Sequence, residues 1–190
     1  YINTDLNRSF PGDPESDLHE ERLASKIMGE VEGKKVVDLH STQSYPDPFT
    51  NFSRLTREVA ELIRCTGVQN AVHFPGESGS LNEHVDGVVV ECGYQGTDQA
   101  ARNAYDVIKN FLACQKVIDL EGVRTDPYIF RHIDTVEGSD YEFVAENFHR
   151  VKEGEVFAKK GRDELVADRE FYPVLMSTHG YEKIVGNRAE

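Results

Sequence analysis

At 190 residues, with 38% hydrophobic and 29% charged side chains, the chain is long enough for one large domain or a medium domain with a small appendage. Its 34 Asp and Glu against 21 Lys and Arg give a formal charge of -13, which repels nucleic acid and anionic membranes and excludes both as expected partners. Cys65, Cys92 and Cys114 are spaced for neither a disulfide framework nor a zinc ribbon, so reduced thiols are expected. No apolar run nears the roughly 20 residues that span a bilayer, and no secretory signal pattern appears; a cytoplasmic location is the expectation.

Tyr1 to Gly12 (YINTDLNRSFPG) begins extended and closes on the turn signal Pro11-Gly12, making a loop that carries Asn7 and Arg8. Such a pair serves local surface hydrogen bonds or, in the sharper reading, a substrate: Arg8 grips a carboxylate bidentately and Asn7 adds neutral hydrogen bonds. Ser16 is placed to cap a helix to about Val31, with Asp17, Glu20 and Glu21 in its first turn, Gly33 past its end, and Leu23, Ile27, Met28 and Val31 as its apolar stripe. His19, in the charged first turn, is expected in solvent.

Lys34 to Thr42 reads as a short buried strand ending in polar groups, and open α/β sheets form their sites outside such strand ends. Asp38 and His40, two apart, project to one face. His40 there is either a hydrogen-bonded packing residue or a metal ligand. Gln43 to Phe52, rich in Pro, Asp and aromatic residues, reads as an irregular loop. Ser53 to Cys65 reads as a helix with Leu55, Val59, Leu62 and Ile63 inward, stopped by Gly67. Asn70 to Phe74 is a second strand, with His73 as a packing residue, and Ser80 to Glu83 has the spacing of a capping box opening one helical turn.

Three valines in Gly87 to Gly93 specify a buried strand that ends in a carboxylate. A carboxylate so placed is rarely buried unless paired, metal-bound or functional, and burial raises its pKa towards the range a general base needs. Cys92 projects opposite to Glu91, towards a helix from about Thr97 to Asp119 through Ala101, Ala104, Val107, Ile108, Phe111 and Leu112. Strand and helix alternate to this point, the pattern of a layered α/β domain with a mainly parallel sheet. From Pro127 short β runs take over (128–133, 142–151, 155–159, 172–177 and 183–185), broken by Gly turns. The expected architecture is a mixed, mainly parallel sheet flanked by helices over residues 1–120, followed by a small C-terminal β domain over 121–190. His132, His149 and His179 lie in the latter without ligand spacing.

DLNRSFPG, VVDLHST and VVVECG in this order, with the closing YEFVAENFHRVKEGEVFA and FYPVLMSTHGYEKIVG, resemble the succinylglutamate desuccinylase/aspartoacylase family over nearly the whole chain. The resemblance implies a zinc carboxypeptidase-like fold and a zinc-dependent hydrolase that cleaves the amide bond of a small N-acyl amino acid or related carboxylate, with one Zn2+ per chain. At matching positions it implies His40 as a zinc ligand and Glu91 as the base that takes a proton from the zinc-bound water and returns it to the leaving amine. Asn7 and Arg8 would bind the substrate carboxylate, Asp5 would support their loop, and Tyr181 lies close to a substrate-contacting tyrosine. A small acylated amino acid is then the partner, and a homo-oligomer is left open.

The family's other two zinc ligands come from an His-x-x-Glu segment ahead of the DLNR loop; Tyr1 to Thr4 contain none, so these ligands are expected upstream of Tyr1. The aspartoacylase-type arginine before the Glu strand is missing, and Ser78 to Val85 offer only Glu83 and His84, which leaves the acyl group open. Two alternatives stand beside the hydrolase. One is a noncatalytic ligand-binding or assembly domain that keeps the fold without a complete metal site. The other is a Cys-His hydrolase using Cys92 with His40 or His84, which the opposite projections of Cys92 and Glu91 disfavour.

Overall fold

The computed structural model describes residues 1–76, 78–178 and 182–190. In chain order the elements are α1 (His19–Val31), β1 (Val36–Thr42), β2 (Phe49–Phe52), α2 (Arg57–Thr66), β3 (Asn70–His73), β4 (Gly87–Tyr94), α3 (Asp98–Cys114), β5 (Tyr128–Glu137), β6 (Glu142–Phe143), β7 (Val156–Lys160), β8 (Asp163–Val166), β9 (Tyr172–Val174) and β10 (Ile184–Ala189). Short 3-10 turns cover Leu6–Arg8 and Leu81–Glu83. One mixed sheet has the strand order β1-β4-β2-β3-β5-β10-β9, and β6-β7-β8 form a second sheet. The pairs β1–β4, β2–β3 and β3–β5 are parallel, whereas β2–β4, β5–β10 and β9–β10 are antiparallel. The α/β class read from the sequence is the one the chain adopts. Among the described residues no helix is long and apolar enough to cross a membrane.

The pleat of β4 sorts its side chains. Val88, Val90 and Cys92 face α2 and α3 and pack with Phe52, Leu62, Ile63 and Val107. Val89 and Glu91 take the opposite face, as strand alternation requires. Burying a side chain the size of Phe52 or Leu62 contributes about 1.5–3 kcal/mol, so this helix-side core fixes which face of β4 is turned outward. On the opposite face Phe49, Val72, Phe130, Phe148 and Val174 form another core. Asn147, buried at 4% exposure, ties that region together. Its amide donates to Ser44 O and Met176 O and accepts from Met176 N, joining the chain after β1 to the chain after β9.

Several sequence expectations are corrected. The helix expected from Ser16 starts at His19, and Leu18 supplies no side-chain cap; the Ser16 hydroxyl is spent on Leu18 N instead. The second helix starts at Arg57, where Thr56 accepts from Val59 N, so Leu55 precedes it and is exposed. The third ends at Cys114, with Lys116 in the left-handed region at φ 58; Ala101 and Ile108 face solvent. Phe49 to Phe52, expected as loop, is the interior strand β2, and Phe49, Thr50 and Phe52 are fully buried. The strand β1, expected to be buried, is half-buried at the sheet edge and pairs only with β4 among the described residues. Cys65 and Cys114, expected as separate packing thiols, form a disulfide between α2 and α3.

One glycine is decisive for the geometry. Gly93 has φ +117, and a Cβ there would lie 2.4 Å from the Pro46 carbonyl oxygen. Gly93→Ala is therefore expected to lower stability by about 2–3 kcal/mol through backbone strain and steric overlap, read as a lower urea midpoint with an unchanged slope. An unchanged midpoint would show that the Pro46 segment yields freely.

Candidate active site

The parallel register pairs His40 with Glu91 and Asp38 with Val89, so the imidazole and the carboxylate lie side by side at the sheet edge. His40 Nε2 is 3.2 Å from Asp38 Oδ2, and Nδ1 is 3.7 Å from Glu91 Oε1. Asp38's hydrogen bond, with Glu91's carboxylate second, outweighs burial and raises the imidazole pKa to about 10. Glu91 Oε2 is buried and has no hydrogen-bond partner among the described residues. A carboxylate oxygen left without a donor at low exposure is costly, which makes this corner a place where a proton or a cation is stabilised.

The loop carrying Asn7 and Arg8 is built locally. Asp5 Oδ1 accepts from Asn7 N at 2.8 Å, capping the 3-10 turn. Asn7 Oδ1 accepts from Leu81 N at 3.3 Å, and Phe10 N donates to Gly79 O, so the loop is tied to residues 79–81. Arg8 is exposed, with Nη1 donating to Asn7 O at 2.6 Å.

Two carboxylates brace this arrangement. Glu83 accepts from Ser78 N, Ser78 Oγ, Gly79 N and Ser80 Oγ. The expected capping box is thus replaced: the turn forms, but the Ser80 hydroxyl meets the Glu83 carboxylate and supplies no side-chain cap. Burial pushes the Glu83 pKa up, yet the donors hold it at about 2.

Glu20, 2% exposed in the first turn of α1, accepts from Ile2 N at 2.5 Å, from Asn3 N and from Thr4 N. Burial again pushes up, and the backbone N–H groups prevail, holding the carboxyl at about 2 against an ordinary 4.5. Because the folded pKa is depressed, this anchor is fully in place above about pH 4.5 and is lost as pH falls through about 2. The amide NMR shifts of Ile2, Asn3 and Thr4 should titrate together with a midpoint near 2; a shared midpoint near 4.5 would refute the anchor.

These loops and the sheet face enclose a cavity of about 430 Å³ that Asn7, Arg8, His40 and Glu91 all line. The structure therefore brings together four of the residues singled out in the sequence. Tyr181 lies outside the described residues. Two further lining residues, Asn51 and His132, were not read as part of a site. Asn51 pairs with Val89 across β2–β4, and His132 follows Phe130 on the same face of β5, its ring 4.9 Å from that of Phe74. Asn51 had one sequence signal, an amide within the aromatic run Phe49-Thr50-Asn51-Phe52; His132 had none. His73 packs as expected, stacked on Phe52 and within hydrogen-bond distance of Ser53 O.

No protein-family model matches the sequence, and no curated protein does. Solved structures match well. The product-bound ectoine utilization protein EutE (DoeB) from Ruegeria pomeroyi superposes with a TM-score of 0.76 at 19% identity, over 98% of this chain and 66% of its own. A succinylglutamate desuccinylase/aspartoacylase from Rhodobacter sphaeroides gives 0.76 at 18% identity, over 98% and 67%. Murine aminoacylase 3 gives 0.74 at 16% identity, over 100% and 78%. The fold is the succinylglutamate desuccinylase/aspartoacylase fold. This chain spans about two thirds of the length of the two bacterial structures.

The donor chemistry at His40 suits a cation, since one imidazole faces two carboxylates and, among the described residues, a carboxylate oxygen lacks a partner. The number of donors falls short. Among the described residues the one cluster of three with ligand atoms within 4.8 Å of one another is Glu61, Cys65 and Cys114, on α2 and α3. There the two sulfurs are bonded to each other and the Arg124 guanidinium donates to Glu61 and to Cys114 Sγ, an unsuitable setting for a cation. The one His-x-x-Glu in the chain, at 179–182, follows the DLNR loop, and its first three residues lie outside the described residues. A Cys-His pairing has no geometric support. The Cys92 thiol is buried on the helix side, where burial, with Glu91's charge second, pushes its pKa up to about 11, and His84 is exposed.

Proposed function

We propose that the chain is the larger part of a zinc-dependent deacylase of the succinylglutamate desuccinylase/aspartoacylase family, cleaving the amide bond of a small N-acyl amino acid. The observation that supports it most is the convergence of Arg8, His40 and Glu91 on one cavity, with a buried Glu91 oxygen that has no partner among the described residues. In this reading residues 1–120 carry the reacting groups and 121–190 wall the cavity through His132, Leu175 and Ile184.

His40 would hold one Zn2+ per chain, together with donors that the described residues do not bring to it. When bound, zinc supplies a water acidified to a pKa of about 7 and a polarised substrate carbonyl. Asp38 orients the His40 ring through its 3.2 Å contact. Arg8 holds the substrate carboxylate, and the Asn7 side chain, fixed through Leu81 N, keeps the loop and its amide at the rim. Glu91 takes the proton of the attacking water and passes it to the leaving nitrogen. The decisive experiment is hydrolysis of N-acyl amino acids with zinc added: turnover at one zinc per chain, abolished by a chelator, supports the reading.

A noncatalytic ligand-binding domain is the second reading, favoured by the lack of a three-donor cluster at His40 among the described residues. Saturable binding of N-acyl amino acids without turnover in zinc would decide for it. The cytoplasmic location proposed from the sequence is tested by the Cys65–Cys114 bond, since that compartment keeps thiols reduced. Alkylation of protein trapped directly from cells should label all three cysteines if it resides there and Cys92 alone if it does not.

A further inference from the structure

The setting that makes Glu61, Cys65 and Cys114 unsuitable for a cation suits the opposite charge. The bridge joins the last turn of α2 to the last residue of α3, and donors reach both of its sulfurs. Arg124 Nη1 is 3.1 Å from Cys114 Sγ and 3.8 Å from Cys65 Sγ, and Gln115 Nε2 is 3.8 Å from Cys65 Sγ. A disulfide sulfur accepts hydrogen bonds weakly, whereas a thiolate is stabilised by a neighbouring guanidinium. These donors therefore serve the opened bridge better than the closed one. The two sides also differ in access, since Cys65 is fully buried and Cys114 is partly exposed.

Beside the bridge lies a cavity of about 320 Å³ lined by Arg64, Arg124, Thr125 and Asp126. Its walls are pinned. Arg124 grips Glu61 at 2.7 and 2.9 Å, Thr125 N donates to Arg64 O, Thr125 Oγ1 to Val68 O, and Arg64 Nε to Asp126 Oδ1. The terminal nitrogens of Arg64 make no hydrogen bond among the described residues, so they are open to an anion. Lys35 joins this contact set through Gln115, which brings Lys35, Arg64 and Arg124 together against Glu61 and Asp126. A local positive excess in a chain of formal charge -13 draws small anions to this face.

We propose that Cys114 is a thiol–disulfide exchange site, with the Arg64–Arg124 cavity receiving a small thiol that carries carboxylates. The incoming thiolate bonds to Cys114 Sγ, the bond to Cys65 breaks, and its electron pair leaves on Cys65 as a thiolate beside Arg124 and Gln115. A second small thiolate then attacks the first one's sulfur and releases Cys114. Two small thiols become one small disulfide, and the two protons they shed end on Cys65 and Cys114. The inference is independent of the deacylase reading.

The full chain with its bridge closed is incubated with reduced glutathione, quenched in acid and mapped by mass spectrometry. The mixed disulfide should sit on Cys114 and not on Cys65 or Cys92. Per thiolate present, glutathione should react about tenfold faster than its carboxylate-free diethyl ester, the low end of the range that local charge adds to association. Arg64→Gln, which leaves the Arg124–Glu61 pair in place, should bring that ratio below about threefold. Salt at about 1 M, where the Debye length is about 3 Å, should do the same to the unmodified protein and gives a second readout if the variant folds poorly. A mixed disulfide on Cys65, equal rates for the two thiols, a ratio that survives both Arg64→Gln and salt, or a bridge reduced only after unfolding in urea would each overturn the proposal.

Discussion

Glu91→Gln in zinc-loaded protein is expected to lower kcat for amide hydrolysis by about 10²- to 10⁴-fold, the range that general acid–base catalysis supplies, with a small change in KM. The substitution keeps the side chain's shape and therefore the pairing of Glu91 with Phe49 and His40 across the sheet. What it removes is the site that receives a proton. Among the described residues no donor engages the buried Oε2, and Oε1 is 3.7 Å from the His40 ring, so the carboxylate's capacity to accept a proton is not taken up by another hydrogen bond. A glutamine nitrogen in either position offers protons and cannot accept one. The His40 ring would also lose one of the two carboxylates that raise its pKa, leaving Asp38 as the larger influence; its titration midpoint should therefore fall in metal-free protein. A kcat within threefold of wild type, with zinc bound, would sink the role assigned to Glu91.

The parts of this site legible in the sequence were those encoded by short-range periodicity. Three valines and a glutamate on one strand specify both the burial of β4 and the outward turn of Glu91, and the two-residue spacing of Asp38 and His40 puts them on one face wherever that strand sits. Strand order is a different kind of information. That β1 lies at the edge and β2 in the interior depends on pairings between residues far apart, and the Pro and Asp residues before Phe49 obscure a four-residue strand whose neighbours supply its stability. Asn51 and His132 could not be assigned to the cavity before that order was known. The disulfide was hidden for the same reason, since Cys65 and Cys114 are 49 residues apart and become neighbours when α2 packs on α3. In the sequence Glu20 is a first-turn acid of α1; its larger role, gathering the amides of Ile2 to Thr4, depends on how the chain end returns over α1.

Arg8→Ala should lower kcat/KM for N-acyl amino acids by about 10²- to 10⁴-fold, since two charge-assisted hydrogen bonds contribute about 1.5–3 kcal/mol each when the partner would otherwise be left unpaired. Arg8 is exposed and its internal partner is the carbonyl of Asn7, so the loop's own ties, Asp5 to Asn7 N and Asn7 to Leu81 N, survive its removal and the fold should be unaffected. Arg8→Lys should recover only about tenfold of the loss, because an ammonium does not reproduce the planar fork. The contrast that identifies the carboxylate as Arg8's partner comes from the substrate side. For an N-acyl amine of the same length without the carboxylate, Arg8→Ala should change kcat/KM less than about threefold, because the two deletions remove the same interaction and their effects do not add. Equal losses on both substrates would mean that Arg8 acts on the reacting carbonyl or on the loop, and the carboxylate anchor would have to be sought elsewhere along the cavity.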